Sequence, residues 1–402
     1  MKSTLVGALM LIIVFAVGCP IADPVPSGTA YYLNDKDTGH SITQTDDGGY
    51  FIVGTGANEG ADRQVVTVKL AADGSVEWWR LYADLYASRV WNHTVEAVPV
   101  AGGGALAAGL TTYNSRATEA DGHLRLVKTD GQGATLWDKT FGGDAQWLPQ
   151  ALVAASDGTY VVAGCSPKGQ DVRLKVDGEG TVLWLHEAEV QGVCVVVQDM
   201  KEVSQSGFLI SGKSWGDNLD LNGLDVALVR VDADGNELWR TLYEAEEDQD
   251  PHTVELASDG GFLIAGTTQH ESRDRPLLMK TDADGTLLWW RDDILVPTWA
   301  HTDYDIWDMA VNPDDTVVLV GVQDRVDYAG PLPIITQNSF LIKLDASGDL
   351  LWYTNLGWDD TSMYGVTRTT AGTYMTVGGL GGERGTEALY LVEVDDNGDI
   401  IG

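Results

Sequence analysis

The chain has 402 residues, with 25 Lys and Arg against 60 Asp and Glu, a formal net charge of −35. Charge of that sign and size repels polyanions, which argues against nucleic acid and anionic lipid headgroups as partners. A hydrophobic content of 44% is ample for a large core, and three cysteines without CxxC or Cys/His spacing exclude a zinc framework.

In chain order, Lys2 precedes an uncharged stretch from Thr4 to Gly18, followed by Cys19. The stretch is shorter than the ~20 residues a spanning helix needs and has the layout of a secretory signal. The tetrad AVGC resembles the lipobox of bacterial lipoproteins, which implies that residues 1–19 are a signal and that Cys19 carries the acyl chains. Residues 20–29, rich in Pro, are expected to form a flexible tether. The protein is then expected in the bacterial cell envelope, lipid-anchored to a membrane on its periplasmic or outer side.

From residue 30 to 402 one unit repeats. Its second half is an alternating apolar strand, an Asp- and Gly-containing turn, and a Trp four residues after the Gly, as in VRVDADGNELWR from Val229 to Arg240. This places Trp78, Trp137, Trp184, Trp239, Trp289 and Trp352 at one repeat position, where they are expected to pack between units. The first half is a short strand, a DGG-like turn and an apolar strand ending at Gly54, Gly109, Gly164, Gly212, Gly266, Gly321 or Gly378. A spacing of about 50 residues with strand and turn signals is that of a propeller or β-solenoid. Two hairpins per unit make four strands; in unit five these are read as Thr253 to Ser258, Phe262 to Gly266, Leu277 to Asp282 and Leu287 to Arg291. The seventh unit stops at Gly402, where its fourth strand should begin, so Ala30 to Asn34 is expected to supply the missing strand. The fold class is therefore all-β, a seven-bladed propeller closed by an N-terminal strand.

The Asp-x-x-Gly-x-x-x-Trp ending resembles the repeat of quinoprotein-like (PQQ-type) propellers, and the DGG(Y/F)xIxG element resembles that of bacterial secreted propeller-repeat lipoproteins. The outer-membrane assembly lipoprotein of the Bam complex is similar in kind, an eight-bladed member whose turns have a Thr-Gly form. Quinoprotein dehydrogenases carry Thr-Gly turns and an adjacent Cys pair; this chain has Asp-rich turns and no such pair, so no cofactor is expected.

In a blade the 1–2 and 3–4 turns share one face and the more variable 2–3 loops and 4–1 connections the other, where function is expected. That face should carry Trp91, Trp147, Trp215, Trp299 and Trp358, with Tyr304, Tyr328, Asp144, Asp303 and Asp359 nearby. These rings either offer a surface to a sugar or cationic peptide or pack the loops onto the blades. The segment Gln323 to Ser339 reads as the longest 2–3 loop. Counting back 14 residues from each second-strand Gly gives the start of the channel-lining strand: His40, Gln150, Gln198, His252, Trp307 and Tyr364, with His93 in the second unit. The three His fall in blades one, two and five, so no metal is assigned. NLDLNGLD, Asn218 to Asp225, has the opening of a calcium loop but carries Val229 where an EF-hand has its terminal Glu. Cys165 and Cys194 fall in adjacent blades and are a candidate disulfide.

No HExxH pair is present. The expected function is a non-enzymatic binding or scaffold module, monomeric, taking a protein or glycan of the envelope on its variable face. The alternative is an envelope enzyme, a glycan hydrolase, lyase or lactonase-like protein, with its site at the channel mouth.

Overall fold

The repeated Asp-x-x-Gly turns close for a reason visible in their own atoms. In Asp232 to Asn236 of the computed structural model, one carboxylate oxygen of Asp232 accepts the N–H of Asp234 at 3.0 Å and of Asn236 at 2.8 Å. Gly235, at a φ of +83°, takes the left-handed step that turns the chain back. Asp130, Asp177, Asp282, Asp345 and Asp395 make the same pair of bonds. Just after each turn the ladder slips by one residue, as between Arg230 and Val231. This bulge turns Leu238 outward, 57% exposed, and directs Trp239 into the blade interface.

The structure describes residues 28–402 except positions 35, 58–63, 87–95, 112–122, 143–146, 167–170, 189–194, 205–206, 216–223, 246, 271–272, 295–301, 328–333, 357–360 and 382–386. Among the described residues there is no α-helix, and the strands form seven blades of four antiparallel strands. The innermost strands, in blade order, are Lys36–Gln44, Glu96–Val100, Leu148–Ala154, Val195–Glu202, Gln249–Leu256, Thr302–Val311 and Thr361–Arg368. In blade five the other three are Phe262–His270, Arg273–Thr281 and Leu287–Arg291; the first two run longer at the variable end than the sequence predicts, and the last has the predicted bounds. Gln323 to Ser339 is corrected in the same sense: the strands Val317–Asp327 and Ile334–Leu344 pair out to Asp327 and Ile334, so most of that segment is an extended hairpin.

Blades join through the Trp position. Each ring packs on a core cluster and lies against the turn Gly of the next blade; a Cβ on Gly285 would come within 2.7 Å of Trp239, and one on Gly180 within 3.1 Å of Trp137. The Trp137 indole N–H also donates to Gly178 O at 3.0 Å. The seventh blade uses Tyr31 in this place: its hydroxyl donates to Gly74 O of blade one at 2.7 Å.

Closure is by both chain ends. Thr29–Tyr31 pairs antiparallel with Glu387–Val394, Thr29 opposite Leu391 and Tyr31 opposite Leu389. Farther along the same edge Ile400 bridges Val394, Ile401 N–H donates to Glu393 O at 2.9 Å, and Glu393 N–H donates to Gly402 O at 2.8 Å. The fourth strand of blade seven is thus assembled from the C-terminal residues and Thr29–Tyr31, laid end to end.

Candidate active site in the central channel

Among the described residues each innermost strand except that of blade two carries a bulge, and the bulged residue is the one the repeat count singles out. The register slips around His40, Gln150, Gln198, His252, Trp307 and Tyr364. A bulge re-aims one side chain without breaking the strand, and here it turns these groups toward the axis. His40, Gln198, His252, Trp307 and Tyr364 line one cavity of about 380 Å³. Gln150 occupies the same position in blade three and is 2% exposed.

Four of these rings form an arc across blades five, six, seven and one. His252 and Trp307 lie 4.5 Å apart between centroids, Trp307 and Tyr364 5.8 Å, and Tyr364 and His40 5.3 Å. His40 is fixed by Thr55 Oγ1, 3.1 Å from its Nε2. Behind the arc, Asp250 accepts from Lys213 Nζ at 2.6 Å and from Gln198 Nε2 at 3.3 Å, with His252 Nε2 at 3.4 Å. Burial opposes ionisation of Asp250, but His252 and Lys213 hold its carboxyl down at about 2. Asp305 nearby goes the other way: burial and the charge of Asp274 push it up to about 6.

Below the arc, toward the tight turns, the repeat count missed a second layer of charged groups. Asp308 follows Trp307, and Asp199 follows Gln198; Lys201 and Glu255 stand three residues after their own bulges. Lys201 Nζ is 3.0 Å from Glu255 Oε1 and 3.4 Å from Asp199 Oδ2. Although burial favours the neutral amine, Asp199, Glu255 and Asp308 hold the Lys201 ammonium well above its ordinary range, so it is no amine nucleophile. Asp199 is further tied to blade five by Val254 N–H at 3.0 Å. Asp308 accepts Met309 N–H at 2.8 Å and, from blade seven, Val366 N–H at 2.9 Å. Burial still pushes its carboxyl up to about 7, against the pull of those N–H groups and of Lys201, with Glu255 adding to the rise.

Asp308 and Lys201, with Ser41 and Thr43, also line a second cavity of about 550 Å³ on the turn side, which Glu255 borders too. The channel therefore runs past Asp308 from an aromatic half into a polar half. A signal for this layer was present in the sequence: a carboxylate directly after the counted channel position in blades four and six.

Trp147, expected on the variable face, is 6% exposed within the core of blades two and three, its indole N–H donating to Glu187 Oε1 at 3.0 Å. Tyr304 is likewise 3% exposed and packs on Phe340. Both are corrected to core residues: Trp147 belongs to the apolar cluster between blades two and three and Tyr304 to that between blades five and six, which removes their apolar area from water. Cys19, Trp91, His93, Asp144, Cys194, Trp299, Tyr328, Trp358, Asp359 and nearly all of Asn218 to Asp225 lie outside the described residues, as do the side chains of Cys165 and Trp215. Asp225 is described and accepts Ala245 N–H at 3.3 Å. Among the described residues no three His, Cys, Asp or Glu are placed to hold a metal ion.

No protein-family model matches the chain, and no curated protein does. Solved structures of similar fold include a puromycin hydrolase mutant complexed with PGG, at a TM-score of 0.56 and 16% identity over 90% of this chain and 53% of its own. The WD40 domain of Neurospora crassa Pan2 aligns at a TM-score of 0.50 and 9% identity, covering 88% of this chain and 89% of its own. The polysaccharide lyase Uly1 aligns at a TM-score of 0.47 and 11% identity over 89% and 90%. The chain spans about half the length of the puromycin hydrolase. At these identities the likeness shows the propeller fold. The expectation of a non-enzymatic binding or scaffold module is corrected here, since the solved structures of similar fold include an enzyme, the puromycin hydrolase.

Proposed function

We propose that the protein is a hydrolase that cleaves a glycan-type substrate in the central channel by acid–base catalysis. The observation that carries this reading is the placing of Asp308. Its carboxyl, with a pKa of about 7, lies on the wall shared by both cavities, beside a Glu255 ion-paired to Lys201. Acid–base cleavage of a glycosidic bond requires a pair of carboxyl groups, one to give a proton and one to take it. Asp308, protonated near neutral pH, donates its proton to the departing oxygen, and Glu255, anionic in its pair with Lys201, takes a proton from the attacking water. The His252, Trp307, Tyr364 and His40 arc offers flat faces on which a sugar ring stacks while Gln198, on the same cavity wall, meets its hydroxyls.

The test is turnover on panels of oligosaccharides and lactones. Wild type is expected to release reducing ends, and Asp308→Asn and Glu255→Gln each to lose roughly a hundredfold or more in kcat with unchanged far-UV circular dichroism. Turnover that survives in Asp308→Asn removes this mechanism; turnover of lactones alone replaces the glycan by an ester.

We also infer attachment to the envelope through acylated Cys19, supported by the AVGC tetrad. Cys19→Ala is expected to abolish palmitate labelling and membrane fractionation together; labelling that persists refutes the anchor.

A further inference from the structure

The turn-side cavity has a charge balance that the hydrolytic reading does not use. Its carboxylates are each accounted for. Glu255 is paired with Lys201 at 3.0 Å. Asp315 accepts from Ser258 N–H at 2.7 Å, Ser258 Oγ at 2.9 Å and Lys280 Nζ at 3.1 Å. Asp308 takes two backbone N–H groups. Of the two cations that line the cavity, Lys201 is compensated by Glu255 and Asp199. The other is Arg368, at the end of the innermost strand of blade seven, exposed and lining the cavity. Arg80, Arg125, Arg173, Arg230, Arg240 and Arg291 are each held by a carboxylate or a carbonyl. The Arg368 guanidinium makes no hydrogen bond or ion pair among the described residues, although its charge helps to keep Asp396 ionised. A planar guanidinium open to a cavity of about 550 Å³ is a ready fork for a carboxylate or other acidic group.

Resting on the hydrolase reading, we propose that this cavity is a subsite for an anionic group of the substrate, received by Arg368. The bond to be cleaved then lies across Asp308, one sugar on the aromatic arc and an acidic sugar on the turn side. The large negative charge of the chain does not forbid this, because distant charges are screened beyond ~8 Å at physiological ionic strength whereas a direct contact is not.

Oligosaccharides matched except for a uronate carboxylate in place of the neutral hydroxymethyl decide the point. Wild type is expected to favour the acidic member about ten- to hundredfold in kcat/KM. Arg368→Met should collapse that ratio through KM, Arg368→Lys should restore part of it, and Asp308→Asn should silence both substrates. Equal turnover of the two by wild type, or a ratio unchanged in Arg368→Met, overturns the subsite while leaving the hydrolase standing. Should wild type turn over neither, the hydrolase reading fails, and calorimetric binding of the acidic oligosaccharide still decides the subsite: affinity lost in Arg368→Met supports it, and no binding or equal binding overturns it.

Discussion

Asp308 takes its chemistry from where the blade puts it. A carboxyl raised to about 7 favours the native state while it is protonated. That stability is fully present below the ordinary carboxylate range near 4 and is lost as pH rises through about 7. Asp308→Asn is therefore expected to flatten the fall in melting temperature between about pH 4 and 7, which a thermal scan reads without any substrate. Lys201 acts on the same group through its charge. Since the ammonium holds the Asp308 carboxyl lower than burial alone would, Lys201→Met is expected to move the alkaline limb of kcat upward in pH as well as lower the rate. A limb that stays in place assigns Lys201 to packing alone. Asp315 is the other instructive residue, holding a φ of +60° where most blades have Gly, with its carboxylate spanning to Ser258 and Lys280 of blade five. Relief of backbone strain in Asp315→Gly is worth ~1 kcal/mol, less than the three charged bonds it removes, so chemical denaturation should show a net loss of stability.

The element that makes the blade is the Asp-capped hairpin, and its Gly serves two masters. Gly285 needs its φ of +78° to close the turn and its missing Cβ to let Trp239 lie flat against it. Gly285→Ala offends both and is expected to cost about 2–4 kcal/mol in urea unfolding, whereas Gly260→Ala, at φ +85° with nothing within 4 Å, offends only the first and should cost less. Equal costs would show that the ring contact contributes nothing. The capping aspartates also set the acid limit: backbone bonds to Thr286 hold Asp282 below the usual carboxylate range, and the Asn236 bond does so for Asp232. Their contribution is present above pH 4 and disappears as pH falls below it.

For the molecule as a ring, everything depends on the seam in blade seven. Removing residues 1–31 takes away Thr29–Tyr31 and the Tyr31 bond to Gly74, and exposes the edge of Glu387–Val394. The truncated chain is expected to melt several degrees lower and to self-associate. Because Thr29 continues the strand that Gly402 ends, joining the two directly and opening the chain in another loop should return a propeller of native stability; a permutant that fails to fold would deny that the two ends share one strand.

Period and turn chemistry alone determined the blade count, the hairpins, the Trp joints and the closing strand, because each is decided by residues within about 50 positions of one another or by a repeat left incomplete. The same counting located His40, Gln198, His252, Trp307 and Tyr364 on the channel, since the bulge that aims them recurs at a fixed distance from the second-strand Gly. It did not locate Asp308, Lys201 and Glu255 as a group, nor Arg368 beside them. These residues come from blades four, five, six and seven, and only ring closure sets their carboxyl, ammonium and guanidinium groups around one polar space. Nor did it distinguish a ring open to ligand from one buried between blades, as Trp147 is. Burial is a property of the neighbours, and those neighbours are chosen by the tertiary structure.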